Sequence, residues 1–430
     1  MVNIIHASKH GVSNLVSRPR ILAVLPHVIP STIVYILKPL SELHRSNSIV
    51  AEFALEYMVS RAHVRRADVI VFCRNASPRH TTALDEALRL GKPIIYDLDD
   101  DLLSFYANAV GDSESSGRLN QLRLYLQSAS IVRVYSERLA QTIREINSQV
   151  IRIDGPIDLR LVPASFTKRD VPSSVKIAYA TGRPDDELAN IFLDDVERVL
   201  EKYPGQVEIF FWGFRGGKLA RHSSVHVLNP VTDYNRFLYR FARYGFEIGL
   251  APLPNDTFHQ SKTNIKFREY AACHIAGIYS NTPVYSECVE HGKTGLLVEN
   301  LPGAWFDALS QLIENKELRA SIQEQAHIYA RGHYSQEKFC AVWLEQIQSV
   351  LSQPSTLSQT TAIDSSKVTD MPSSIEIPST ASKPGLIKLV SRAGELARRF
   401  FWSVRARGMR ESVVRARWAL NDLSLFWKRF

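Results

Sequence analysis

Short apolar runs alternate with amphipathic stretches along the first 165 residues of the chain. The apolar runs have the length and the branched or aromatic side chains of buried strands, and they are residues 20–26, 68–73, 93–97 and 131–135. Helical spacing of apolar positions extends to Leu43 after the first run and returns at residues 81–90 and 119–128. DSESSG, residues 112–117, predicts a turn or loop. This β-α-β order predicts a parallel sheet covered by helices on both faces.

The same alternation returns after residues 162–174, a proline-containing segment without periodicity that predicts an interdomain linker. Strands are predicted at residues 175–180, 207–212, 225–228, 246–253, 276–281 and 296–298. Helices are predicted at residues 187–202, 234–244, 304–314, 318–331 and 336–351. The sequence therefore predicts an α/β protein with two Rossmann-like domains, residues 18–165 and 170–351.

The end of the chain has a different composition. Residues 352–385 are rich in Ser, Thr and Pro and predict a disordered linker. Helical periodicity returns in residues 386–430, which contain eleven basic and three acidic residues. That excess equals the net charge of +8 of the whole chain, so the rest is close to neutral. Two basic amphipathic helices that lie on an anionic membrane surface are the expected structure, with a short coiled coil or partner helix as the alternative.

Composition excludes several classes of protein. Hydrophobic content of 45% with 22% charged residues is ordinary for a globular protein. The four cysteines lie far apart, without a CxxC pair or histidines at metal-ligand spacing, so a disulfide scaffold or zinc module is not expected. No signal peptide, spanning segment, GxGxxG or P-loop pattern occurs, so we expect a cytoplasmic protein that is neither a dinucleotide enzyme nor a P-loop ATPase.

The segment SKTNIKFREY, residues 261–270, carries the clearest candidate chemistry. Lys262 and Lys266 are four residues apart and share a helix face if the helix begins early, and Glu269 follows three residues later. Two cations and a carboxylate suit the diphosphate and the ribose hydroxyls of a sugar nucleotide. Solvated Lys–Glu pairs on an exposed helix are the structural alternative.

This segment resembles the donor-binding helix of GT-B glycosyltransferases of the family 4 type, and the resemblance covers roughly residues 18–351. In that family a Glu-x7-Glu motif contacts the donor, and Glu269 matches its second, ribose-binding position, whereas the first falls on Ser261. Polysaccharide-type members instead carry a Lys-Ser-x-x-Lys-x-x-Glu-Tyr pattern, which SKTNIKFREY resembles. The resemblance implies a GT-B fold, with two Rossmann-like domains facing across a cleft.

Two further positions follow from this resemblance. Arg183, in the Thr-Gly-Arg that follows strand 175–180, matches an Arg that binds the donor phosphates, although Leu188 stands where the family has a Lys. A plain surface Arg in a turn is the alternative. Thr294 and Gly295 match a turn that lies near the donor, but a tight turn requires glycine for structural reasons as well.

Candidate acceptor-side residues follow strands of the first domain. Asp99 and Asp100 belong to an acidic run, residues 97–101, that either faces the cleft or caps a helix. Arg74 follows the strand at 68–73, and His27 follows the first strand, where it is the best histidine candidate for acceptor contact or proton handling. The run contains two overlapping Asp-x-Asp patterns, but GT-B enzymes do not hold their donor through a metal, so no metal site is predicted.

The resemblance implies a glycosyltransferase, of the retaining type, that moves a sugar from a nucleoside-diphosphate sugar to an acceptor hydroxyl and needs no cofactor. It suggests bacterial surface polysaccharide or glycolipid assembly, with a glycan or lipid-linked acceptor at the inner face of the cytoplasmic membrane. The alternative is a non-catalytic GT-B-like scaffold that its basic tail recruits to a membrane or to partners. Nucleic-acid binding is not expected, because the aromatic residues of the tail are placed at helical spacing rather than on a sheet.

Overall fold

The computed structural model describes residues 18–109, 112–163, 174–231 and 233–352. Two six-stranded sheets organise these residues, and every strand pair within them is parallel. The predicted α/β architecture with two Rossmann-like domains is therefore confirmed. No predicted strand is missing.

The first sheet has the strand order β2-β1-β3-β4-β5-β6. Its strands are β1 (Arg20–Leu25), β2 (Val50–Leu55), β3 (Val69–Cys73), β4 (Ile94–Leu98), β5 (Ile131–Val134) and β6 (Val150–Arg152). The central strands β3, β4 and β5 are buried along their whole length, as near-continuous apolar runs in a covered parallel sheet require. The edge strands β2 and β6, which sequence analysis missed, are only partly buried.

Helices cover both faces of this sheet. They are α1 (Pro30–Thr32), continued by a π-helical segment (Ile33–Leu37) into α2 (Lys38–Arg45), then α3 (Arg61–Arg66), α4 (Thr82–Arg89), α5 (Leu102–Ala107), α6 (Ser113–Ser128) and α7 (Glu137–Arg144). The predicted loop at residues 112–117 is wrong, because α6 begins at Ser113. Asp112 caps this helix by accepting a hydrogen bond from the backbone N–H of Glu114 at 3.1 Å. A capping Asp followed by serines has the composition of a turn, although it begins a helix.

The second sheet has the strand order β12-β11-β10-β7-β8-β9. Its strands are β7 (Val175–Ala180), β8 (Val207–Trp212), β9 (Val225–Leu228), β10 (Ile248–Ala251), β11 (Ala276–Ser280) and β12 (Leu296–Val298). Read from β9 to β12, this is the 3-2-1-4-5-6 order of dinucleotide-binding sheets. Sequence analysis predicted all six strands, four of them with the same bounds.

The helices of the second half are α8 (Leu193–Lys202), α9 (Tyr234–Arg243), α10 (Thr257–Gln260), α11 (Ile265–Ala272), α12 (Pro283–Ser286), α13 (Ala304–Glu314), α14 (Lys316–His333) and α15 (Gln336–Ser352). One apolar core forms where α8 and α13 pack on this sheet around Phe192, Val196, Trp305 and Leu309. The predicted helix at 187–202 is divided, since Glu187–Ile191 is a 3-10 turn that precedes α8.

The last described helix, α15, contacts the first half of the chain rather than the second sheet. The Trp343 indole N–H donates to the carbonyl oxygen of Tyr35 at 3.0 Å. The guanidinium of Arg133, in β5, lies 3.4 Å from the centre of the Trp343 ring and donates to Gln346 at 2.5 Å. Sequence analysis assigned this helix to the domain of residues 170–351. In the structure, these contacts show that the chain returns to its first domain before residue 353.

The predicted linker at 352–385 and the basic helices at 386–430 lie outside the described residues, apart from Ser352 at the end of α15. None of the helices in the described part of the chain combines the length and apolar character that crossing a bilayer requires.

Candidate functional site

Each sheet has one place where the chain reverses direction across the sheet. In the first sheet it lies between β1 and β3, and in the second between β7 and β10. Ligands of open parallel sheets bind outside the carboxyl ends of the strands at such points. His27 and Arg74 follow β1 and β3, and Arg183 follows β7. The candidate residues therefore come from both switch points.

The loop after β7 is held by the buried carboxylate of Asp186. It accepts hydrogen bonds from the Thr181 hydroxyl at 2.7 Å and from the Tyr179 hydroxyl at 2.9 Å. Burial and this carboxylate raise the pKa of Tyr179, so that its hydroxyl stays a donor. Arg183 is more than half exposed, and its guanidinium is 3.9 Å from Asp186. The loop is thus fixed, while the Arg183 side chain stays accessible to an anion.

The loop after β8 approaches this segment closely. Gly213 has a φ of 84°, and a Cβ at this position would lie 2.0 Å from the carbonyl oxygen of Thr181. Only glycine fits both the left-handed backbone and the close approach. Gly213 therefore joins two loops at the carboxyl edge of the second sheet.

Lys266 and Glu269 lie on one face of α11 and form an ion pair of 2.7 Å. The Glu269 side chain is buried, whereas that of Lys266 is one quarter exposed. Burial, with the Glu269 carboxylate nearby, raises the pKa of the Tyr234 hydroxyl in α9. Because Glu269 is buried, the alternative of a fully solvated charge pair does not describe this site.

Lys262 does not share a helix face with Lys266, because α11 begins only at Ile265. That condition of the sequence prediction fails. Lys262 instead lies in the turn after α10, where its ammonium is 3.1 Å from a carboxylate oxygen of Asp100 and 4.4 Å from the centre of the Phe258 ring. Asp100 belongs to the first domain, so this ion pair joins the two domains.

The four aspartates of the acidic run at residues 97–101 have three different roles. Asp97 is fully buried and accepts hydrogen bonds from Arg133 at 3.0 Å and from the Tyr135 hydroxyl at 2.7 Å. Burial raises the pKa of Asp97 to about 6. Asp101 caps α5 by accepting from the backbone N–H of Ser104 at 3.0 Å. Neither side chain therefore needs a ligand to explain its position.

Asp99 and Asp100 both pair with Arg74. One Arg74 nitrogen is 3.1 and 3.3 Å from the two oxygens of Asp99, and the other is 3.6 Å from Asp100. Arg74 has a φ of 60°, which L residues rarely adopt. Among the described residues, no group of three or more His, Cys, Asp or Glu side chains is arranged to hold a metal ion.

The remaining predicted residues are His27, Thr294 and Gly295. His27 is exposed, two residues beyond β1, and its carbonyl oxygen accepts from the Thr32 hydroxyl at 3.1 Å. The Thr294 hydroxyl accepts from the backbone N–H of Glu290 at 2.8 Å. A Cβ on Gly295 would lie 2.7 Å from the Tyr279 ring. Both residues contribute to the packing of this turn, and donor contact by Thr294 and Gly295 stays a prediction.

Sequence analysis missed Arg268, which is fully buried on α11 beside Glu269. Its guanidinium donates four hydrogen bonds, to the Asn264 side chain (3.0 Å), the Pro156 carbonyl oxygen (2.7 Å), the Tyr35 hydroxyl (3.0 Å) and the Thr263 hydroxyl (2.9 Å). Two of these partners belong to the first half of the chain. Arg268 therefore fixes the helix that carries Glu269 against the first domain. An arginine inside the charged segment of residues 261–270 gives no sequence signal that it is buried.

Comparison with known proteins agrees with this arrangement. Residues 176–315 match the family model described as "Glycosyl transferases group 1". The structure of Anabaena HepE in complex with UDP and glucose is similar over 77% of this chain and 100% of its own, with 15% identity and a TM-score of 0.56. No sequence among the curated proteins matches this chain.

Two other solved structures show the same fold. Sucrose-phosphate synthase from Thermosynechococcus elongatus is similar over 77% of this chain and 99% of its own, with 12% identity and a TM-score of 0.57. A glycosyltransferase from Rickettsia africae is similar over 78% of this chain and 100% of its own, with 13% identity and a TM-score of 0.53. The predicted resemblance is therefore confirmed: the chain has the two-domain GT-B fold of these structures, and residues 176–315, which match the glycosyltransferase group 1 model, lie in its second domain.

Proposed function

We propose that this protein is a glycosyltransferase that moves a sugar from a nucleoside-diphosphate sugar to an acceptor hydroxyl, with retention of anomeric configuration. The observation that carries the proposal is the Lys266–Glu269 pair on α11, at the carboxyl edge of a sheet with the dinucleotide-binding strand order. HepE, whose fold is similar, has been solved in complex with UDP-glucose. A nucleotide sugar is the ligand class that these observations favour.

The leaving group of such a reaction is a nucleoside diphosphate, on which negative charge develops as the bond to the anomeric carbon breaks. Lys266 and Arg183 are the accessible cations for this charge, and Lys262 is a third when it leaves Asp100. Glu269 would accept hydrogen bonds from the ribose hydroxyls. The acceptor oxygen forms the new bond to the anomeric carbon and loses its proton, for which Asp99, Asp100 and His27 are the candidate acceptors at the first-domain edge.

The biological setting that we propose is bacterial surface polysaccharide or glycolipid assembly, with a glycan or lipid-linked acceptor. The basic amphipathic pattern of residues 386–430 supports a peripheral position on an anionic membrane, at the cytoplasmic face. A Ser/Thr/Pro-rich tether at 352–385 would let the catalytic body reach such an acceptor.

Ser261 favours a second candidate, a GT-B scaffold without catalysis. This residue stands where the Glu-x7-Glu motif has its first carboxylate, and it is buried. Its hydroxyl donates to the carbonyl oxygen of Thr257 at 3.0 Å, and its own carbonyl oxygen accepts from Ser136 at 2.9 Å. Hydrolysis or transfer from UDP-, GDP- or dTDP-sugars above background would exclude the scaffold.

The direct test is a pair of variants, Lys266→Ala and Glu269→Ala, assayed against these donor sugars. Each should lower kcat/KM about tenfold or more, because each removes a contact to a charged or hydroxyl-bearing part of the donor. Lys202→Ala is the matched control, since Lys202 also pairs with a Glu (Glu314, 3.1 Å) but lies at the end of α8, at the opposite edge of the same sheet. Unchanged kinetics in both cleft variants would place the donor elsewhere.

A further inference from the structure

Lys262 is a predicted donor ligand, yet its ammonium is already paired with a carboxylate of the other domain. The distance to Asp100 is 3.1 Å, and both side chains are about one fifth exposed. Asp100 also faces Arg74 at 3.6 Å, and Arg74 in turn holds Asp99 at 3.1 Å. Two cations and two carboxylates thus form one chain of ion pairs from the acceptor side of the cleft to the donor side.

A carboxylate and a phosphate compete for the same ammonium, because each is an anion that accepts its hydrogen bonds. Lysine carries a compact charge on a flexible stem, so Lys262 can exchange one partner for the other without a backbone change. When Lys262 leaves, Asp100 keeps Arg74 as a partner, so no carboxylate is left without a cation. Loss of the pair is therefore far less costly than breaking an isolated partly buried ion pair.

We propose that Asp100 occupies Lys262 in the donor-free protein and is displaced by the donor diphosphate. The proposal rests on the proposed function, because it takes the second domain to bind a nucleoside diphosphate. Displacement removes one of the two cations that pair with Asp100 at the moment when a donor is present. With one cation fewer, the carboxylate is a better proton acceptor for the acceptor hydroxyl, which favours an ordered reaction with the nucleotide sugar first.

Removal of the competing carboxylate should strengthen diphosphate binding. Calorimetric titration of the full-length protein with UDP, GDP and inorganic pyrophosphate should show about three- to tenfold tighter binding for Asp100→Asn than for wild type, which is the range of a partly exposed ion pair. Asp99→Asn is the matched control, because Asp99 contacts Arg74 but is not among the salt-bridge partners of Lys262. Its affinity for the same ligands should stay within about twofold of wild type.

Arg74→Gln should change the diphosphate affinity in the opposite direction. It distinguishes two roles of Arg74, as an ion-pair partner of Asp100 and as a direct phosphate ligand. Without Arg74, Asp100 holds Lys262 more strongly, so diphosphate binding should weaken. In the double variant Arg74→Gln/Asp100→Asn the affinity should return to that of Asp100→Asn alone, because no carboxylate remains to compete. An affinity that stays low in the double variant would show direct contact of Arg74 with phosphate and would overturn the competition.

The outcomes also distinguish this inference from the proposed function. Diphosphate binding to wild type that weakens or stays unchanged in Asp100→Asn overturns the competition alone and leaves the donor site in place. Binding to Asp100→Asn but not to wild type supports both. No binding of any of the three ligands to either protein overturns both.

Discussion

Gly155 lies where the chain passes from the first domain toward the second, and it contacts the buried guanidinium of Arg268. A Cβ at this position would be 2.4 Å from Nη1, 2.7 Å from Cζ and 2.8 Å from Nη2 of Arg268. Gly155→Ala therefore places a methyl carbon closer to three atoms than van der Waals contact allows. The perturbation tests whether Arg268 is the fixed point between the domains.

The expected cost follows from how firmly Arg268 is held. Its side chain is fully buried and donates four hydrogen bonds, so it cannot move away without losing some of them. Overpacking of a filled interior costs about 1–3 kcal/mol, and one lost hydrogen bond from a charged donor costs about 1.5–3 kcal/mol. We expect a loss of about 2–4 kcal/mol in the free energy of unfolding, or roughly 3–6 °C in Tm.

Differential scanning calorimetry measures this loss, with Gly332→Ala as the matched control. Gly332 lies within α14, where a Cβ would meet no atom within 4 Å. Alanine should raise stability there by up to about 1 kcal/mol, because it restricts the unfolded chain and favours the helix. The same chemical change should thus have opposite signs at the two positions.

A double variant isolates the contact. Arg268→Gln alone leaves several buried acceptors without a donor and should destabilise the protein by about 3–5 kcal/mol, because each unsatisfied buried polar group costs about 1–3 kcal/mol. Gly155→Ala/Arg268→Gln should be more stable than the sum of the two losses, because the shorter side chain vacates the space of the methyl group. Additive losses, or a Gly155→Ala protein as stable as wild type, would refute the argument.

Three further outcomes are expected. Burial raises the pKa of Asp97 from 3.8 to about 6, so this group binds more protons in the folded than in the unfolded protein. Its contribution to the free energy of unfolding, up to about 3 kcal/mol, is present below about pH 4 and is lost as the pH rises through 6. In urea unfolding, the free energy of unfolding of wild type minus that of Asp97→Asn should decrease from about pH 4.5 to 7. The same difference at both pH values would contradict the burial argument. UDP binding should survive EDTA, because Asp99 and Asp100 are paired with Arg74; loss on chelation that Mn²⁺ restores would indicate an Asp-x-Asp metal site. Full-length protein should float with anionic liposomes at low salt, and protein truncated at Pro354 should not, since each basic residue near the membrane surface contributes roughly 1 kcal/mol to binding. Equal binding of both forms would exclude a membrane role for residues 386–430.

Every strand that is buried along its whole length was predicted from the sequence pattern. All six strands of the second sheet were predicted, because they are short apolar runs between helical patterns. The missed strands β2 and β6 lie at the edges of the first sheet, where half-exposed residues weaken the apolar signal. For the site, the pattern predicted which loop carries Lys262 but not its partner, since Asp100 is 162 residues away.

The acidic run shows what a pattern in one strand can and cannot indicate. Asp97 lies opposite Arg133 in the register of β4 and β5, so the two side chains share one face of the sheet, and both are fully buried. An arginine in the otherwise apolar β5 requires a buried carboxylate nearby, and that signal was available in IVRVY at residues 131–135. The residues that cover this ion pair could not be predicted, because Trp343 and Gln346 come from α15, more than 200 residues later. Proximity in sequence grouped Asp97 with Asp99 and Asp100, whereas Asp97 lies within β4, where α15 covers its partner Arg133, and Asp99 and Asp100 follow the end of that strand.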